Sequence, residues 1–227
     1  MIYKKNNAFT LTELLIALGI IGAIAALSIP SLISTVHNKV LATQIKSDVA
    51  SVQQLINDQM ITKKTKNLSD TGFSSSTEFY KLIDKAQDCS DNVKCWGTSY
   101  RVIGGASSEA TIPTDGIKLK NGGAMSYSLV AAAKDDKKDG DAADSAADSA
   151  ADDDADASFA QIYVDVNGPD QPNIIGRDLY AFYITKKGQI KGADSASTAT
   201  CDTPLECFQA LMDNGWIMPK DSEYYAK

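Results

Sequence analysis

Few residues in this chain have the chemistry of catalysis, and they are unevenly placed. The single histidine, His37, sits beside the longest apolar run. A Ser-His-Asp or Cys-His arrangement elsewhere therefore lacks its base. There is no phosphate loop ending in Gly-Lys-Ser/Thr and no His-Glu-x-x-His pair. No carboxylates stand out as an acid/base pair for glycoside hydrolysis. The sequence argues against an enzyme.

Two sets of residues could bind or cross-link. Asp165, Asn167, Asp170 and Asp178, within DVNGPDQPNIIGRD, offer oxygen ligands of the kind calcium takes. The spacing lacks the alternating ligands and final Glu of an EF-hand. Asn167-Gly168-Pro169, with Asn173 and Gly176 shaping the return, reads better as a structured turn. Calcium is the only cofactor the sequence suggests, and only weakly. The second set is Cys89/Cys95 and Cys201/Cys207, two Cys-x5-Cys pairs that do not match zinc-ribbon spacing. An even count behind an export signal points to disulfides and an oxidising compartment. Three pairings are open, the two local loops among them, and free thiols are the alternative.

The elements that must position these residues follow from charge and periodicity. The formal net charge is −7, which disfavours a nucleic-acid-coating protein. The deficit is local, because residues 135–156 carry ten Asp against Lys137 and Lys138. This insert, taken as 134–157, has an Ala-Ala-Asp-Ser repeat and no aromatic or β-branched residue, which predicts disorder. A solvated acidic loop is its simplest reading, ahead of weak calcium capture or an acidic outer surface of an assembly.

From Leu14 to Val36 no side chain is charged. At about 1.5 Å per residue this run crosses a hydrocarbon core of about 30 Å. Lys4 and Lys5 precede it, which keeps the leader cytoplasmic and projects the rest outward. Glu13 at its start is the anomaly, since a carboxylate costs about 2.5–3.5 kcal/mol at the centre of a membrane helix. A secretory signal cleaved after Ser28 would free a soluble head beginning near Ile29. An uncleaved signal anchor fits the length but gives Glu13 no partner.

A third reading uses every oddity. The stretch FTLTELLIALGIIGAIAALSIP resembles the processing region of type IV prepilins and pseudopilins. Their pattern is a short basic leader, a cut before Phe, Glu fifth after the cut, and Pro near the twenty-second position. The resemblance implies a leader of Met1–Ala8, cleavage between Ala8 and Phe9, and N-methylation of the Phe9 amine. Glu13 then falls fifth and Pro30 twenty-second. The family usually has Gly before the cut, so Ala8 implies slower cleavage. In a filament, Glu13 of one subunit would face the Phe9 ammonium of a neighbour. Gly19 and Gly22 would let helices approach closely, and Pro30 would kink or open the helix.

The implied partners are other pilin or pseudopilin subunits, the prepilin peptidase and an inner-membrane assembly platform, with no nucleic acid bound directly. The implied location is the inner membrane before assembly and a periplasmic or surface filament afterwards. The C-terminal cysteine pair resembles the disulfide-stapled region of many pilins. The rival function is an exported or signal-anchored binding domain, with calcium as its candidate ligand, that builds no filament.

Apolar residues continue at Val36, Val40, Leu41, Ile45, Val49, Val52, Ile56 and Met60, a helical stripe with Lys39, Lys46, Asp48 and Asp58 read as off it. One helix is expected over 9–60, with 14–36 in membrane or filament core, and a head over 61–227. A short helix is expected at 78–87, then strands from Tyr100, across GIKLKNGGAMSYSLVAA, in AQIYVDVNG and in DLYAFYITKKGQI, and a last helix in LECFQALMDNGW. The predicted fold is α+β: a long N-terminal helix packed against an antiparallel β-sheet head, pilin-like.

Overall fold

The computed structural model describes residues 10–90, 93–102, 112–130, 157–171, 173–193 and 201–218. The leader with Ala8 and Phe9, the residues after Val102 of the strand expected from Tyr100, and all of the acidic insert except Ala157 lie outside the described residues. One helix, α1 (Leu11–Lys63, 53 residues), dominates the molecule. At about 1.5 Å per residue it is about 80 Å long. It is assigned without a break across position 30 and ends at Lys64, whose φ of 52° is left-handed. After two 3-10 turns (Leu68–Asp70 and Gly72–Ser74) comes α2 (Ser76–Leu82).

Six strands follow: β1 (Lys85–Asp88), β2 (Ile117–Leu119), β3 (Ala124–Leu129), β4 (Ser158–Asp165), β5 (Leu179–Thr185) and β6 (Ile190–Lys191). They form one sheet in sequence order, with every neighbouring pair antiparallel. Helix α3 (Pro204–Asp213) closes the described head. The architecture is α+β as expected, a long helix against an antiparallel sheet.

Register explains which face is core. Met125 lies opposite Val164, and Val164 opposite Tyr180; Tyr127, Ile162 and Phe182 make the next row. Period-two alternation puts both rows on one face, and all six side chains are buried. Phe79 stacks on Tyr127 with centroids 4.2 Å apart, and Phe208 of α3 lies 5.0 Å from Phe182.

Helix α1 adds Leu41, Ala42, Ile45, Val49, Val52 and Ile56 to the same core. It is also tied by hydrogen bonds from Gln44 Nε2 to the Val166 carbonyl (2.9 Å) and from Gln53 Nε2 to the Gly188 carbonyl (3.3 Å). Gly188 has φ +79°, and a Cβ there would lie 2.5 Å from Ile56 Cγ2. Glycine thus serves both the β5–β6 turn and the close passage of α1.

Three expectations need correction. Residues 100–102, the described start of the strand expected from Tyr100, form no strand, Arg101 making only an isolated bridge to Ile174. Asp48 is buried, not on the solvent face. It stands three residues after Ile45 and four before Val52, which places it within the apolar stripe, and Asn121 across the interface supplies a donor. The helix expected over 78–87 ends at Leu82; residues 85–88 pair with β2 instead. An isolated short helix is marginal, and an available strand edge outcompetes another turn.

The two halves of α1 should respond differently to truncation. Ile45 is 0% exposed, and Ile45→Ala is expected to cost about 2–5 kcal/mol in denaturant unfolding of the full chain. Leu27 is 83% exposed, and Leu27→Ala should leave that midpoint unchanged.

Candidate assembly segment and head corner

Helix α1 begins with a reciprocal cap. The Glu13 amide donates to Thr10 Oγ1 (3.3 Å), while Glu13 Oε2 accepts from the Thr10 amide (2.9 Å) and hydroxyl (2.8 Å). This is the capping-box arrangement of Thr and Glu three residues apart, which satisfies helix-end donors that hydrocarbon would leave bare. The expectation of a distant partner for Glu13 overlooked it, although the Thr10-x-x-Glu13 spacing was legible. The same device starts α3, where Thr203 and Glu206 cap each other.

Residues Leu11–Ile29 are long and apolar enough to cross a membrane, with mean hydropathy 2.2 and no buried residue. Leu11, Leu14, Leu15, Ile16, Leu18, Ile20, Ile21 and Ile24 are all exposed, so bare apolar surface faces every direction around the helix. A helix apolar all round requires lipid or protein cover. A Cβ at Gly19 or Gly22 would meet nothing within 4 Å, so nothing among the described residues requires either glycine.

Past this bare segment α1 meets the head at His37. Arg177 Nη2 lies 3.1 Å from His37 Nδ1. A guanidinium only donates, so Nδ1 is the acceptor in this pair.

The suggested calcium residues fall in the corner between β4 and β5. Asp165 Oδ1 accepts from the Asn167 amide at 3.2 Å, and Oδ2 accepts from the Tyr100 hydroxyl. Asn167 Nδ2 donates to the Asp170 carbonyl at 2.8 Å, and the Asp170 side chain is exposed. Asp178 Oδ2 accepts from the Ile174 amide at 2.9 Å. Gly168 and Gly176 take positive φ, 66° and 84°. The four residues shape a turn whose carboxylates largely serve the chain's own donors. Among the described residues, no group of three or more His, Cys, Asp or Glu side chains is placed to hold a metal ion.

The corner is electrostatically unusual. Burial pushes the Asp165 carboxyl up to about 8, opposed by the Tyr100 hydrogen bond and reinforced by the charge of Asp178. Burial likewise raises Asp178 to about 7 against the pull of the Ile174 amide and Arg177. Tyr100, desolvated and facing Asp165, is held protonated well above the ordinary phenol range. Sequence reasoning missed Tyr100 and Arg177 as partners, because neither bond has a local signature.

Both cysteine pairs close locally. Cys89–Cys95 and Cys201–Cys207 are disulfides with Cα separations of 5.7 and 4.7 Å. Loops this short restrict the unfolded chain by about 2 kcal/mol each in the chain-entropy account. The second bridge pins the start of α3, whose far end places Trp216 against Phe208 and under the Lys46 ammonium of α1.

Residues 3–29 match the family model of the prokaryotic N-terminal methylation motif. No curated protein and no solved structure matches the chain.

Proposed function

From the premise of a type IV pilin-like prepilin segment at residues 3–29, we propose that this pilin- or pseudopilin-like precursor is a structural subunit of a bacterial type IV pilus or type II secretion-like pseudopilus. A structural role, not catalysis, is what such a motif indicates. The observation that carries the reading is the match of this motif to a helix whose first 19 residues are long and apolar enough to cross a membrane and include no buried residue. Such a surface needs lipid before assembly and neighbouring helices after it.

In this reading the prepilin peptidase cuts between Ala8 and Phe9, and the leader 1–8 is lost. The Phe9 amine is methylated, and the chain waits in the inner membrane with its head outside. An assembly platform then brings copies together, with Phe9 of one facing Glu13 of another. Gly19 and Gly22, unexplained within one chain, give room for that approach. Pro30 is the place where the helix would bend.

The N-terminus of the native protein tests the reading. Intact-mass and N-terminal analysis of membrane-derived protein is expected to give N-methylated Phe9. A chain starting at Ile29 would make it an exported soluble domain, and one retaining Met1 would make it a signal-anchored protein.

A further inference from the structure

Helix α1, the α2–β1 connection and the β2–β3 hairpin line a half-open cavity of about 310 Å³. Val52, Leu55, Leu82, Leu119 and Met125 give it apolar walls, and Asp48 lines it with an acid. Cavities of about 300–1,000 Å³, mostly apolar with a few placed polar groups, are the usual form of small-molecule sites. Asp48 is only 8% exposed. Its Oδ1 accepts from Asn121 Nδ2 at 3.1 Å, while Oδ2 has no hydrogen-bond partner. The cation in the wall, Lys120, is engaged with Asp84 at 2.6 Å.

A buried carboxylate with one bare oxygen is costly, and a donor cation would relieve it. Because Asn121 already holds Oδ1, the planar fork of a guanidinium would find one acceptor where it matches two. A quaternary ammonium has no N–H to donate. The walls favour an unbranched hydrocarbon.

We propose that this cavity binds a primary ammonium carried on an aliphatic stem, with the ammonium donating to the Asp48 carboxylate and the stem lying against Val52, Leu55 and Leu119. A free alkylamine and the end of a lysine side chain from a second copy share this chemistry. Burial raises the Asp48 carboxyl to about 6, so it is largely ionised at neutral pH and available to a cation. The site does not depend on the filament reading.

The test is titration of the full chain in nanodiscs with n-butylammonium at pH 7.5, followed by NMR, with n-butanol as the uncharged control. Saturable binding is expected, at least tenfold tighter than n-butanol, and weakening at least tenfold by pH 5. Asp48→Asn should lose at least tenfold in affinity. Ser51→Phe, which narrows the rim while keeping the acid, should also weaken binding and serves if Asp48→Asn does not fold. In assembled material, a carbodiimide cross-link from Asp48 to a lysine of another copy would assign the guest to that copy. Butylammonium binding without that cross-link would assign a free amine. No saturable butylammonium binding together with no cross-link, or equal affinity in wild type and folded variants, would overturn the proposal.

Discussion

Glu13→Ala is expected to leave insertion of the chain into membranes intact and to abolish its recovery in sheared or pelleted filaments. Two energies separate here. Removing the cap at the helix start costs about 0.5–2 kcal/mol, and the helix remains long and apolar. Leaving a neighbour's ammonium buried without its carboxylate costs about 3–5 kcal/mol at each contact. Since about 1.4 kcal/mol is tenfold in an equilibrium, the second effect dominates assembly.

The cap partner separates the two roles. Thr10→Val removes the hydroxyl that both donates to and accepts from Glu13, yet keeps the charge. It should still assemble, whereas Glu13→Gln, which keeps an accepting oxygen but no charge, should fail like Glu13→Ala. If Thr10→Val fails equally, Glu13 serves its own helix end and not the neighbour. Membrane fractionation and filament yield by immunoblot read both outcomes.

The second large effect is in pH. Thermal stability of the full chain in detergent is expected to rise as pH falls from about 8.5 to about 5. Burial raises three carboxyls in the folded head: Asp165 to about 8, Asp178 to about 7 and Asp48 to about 6. An unfolded chain holds these protons only near pH 4 and below. Between those limits the folded state binds more protons, so its stability is full at the acid end and declines as pH rises through the folded values.

Each such proton contributes a slope of up to about 1.4 kcal/mol per pH unit. The groups facing the corner are the Tyr100 hydroxyl, Arg177 and the two carboxyls themselves; Asn121 faces Asp48. Asp165→Asn keeps one oxygen for the Asn167 amide and should flatten the upper part of the profile, from about pH 7 to 8.5. A melting midpoint that is level, or that drops on acidification from 8 to 5, would contradict this.

What was legible beforehand depended on how far apart the cooperating residues lie. The strand runs around Ile162 and Phe182 declare themselves by alternation, and Gly122 and Gly188 mark the β2–β3 and β5–β6 turns, because these signals are local. The apolar run from Leu11 needs only composition. The burial of Asp48 is not legible locally, because a charge inside a stripe makes sense only when Asn121, far along the chain, meets it. Nor is the strand at 85–88, because its pairing with β2 is a tertiary choice. Tyr100 with Asp165, and His37 with Arg177, join distant segments by single bonds that leave no periodic trace.

The uncovered stretch of α1 also limits how a subunit can travel. Moving a buried Leu or Ile into water costs about 1.5–3 kcal/mol, and more than ten such side chains lie bare between Leu11 and Val36. Passage through water would therefore cost tens of kcal/mol, far beyond thermal reach. If copies of this chain build the proposed filament, each must enter it sideways from lipid and leave by the same route, and growth and shedding would then be confined to the bilayer.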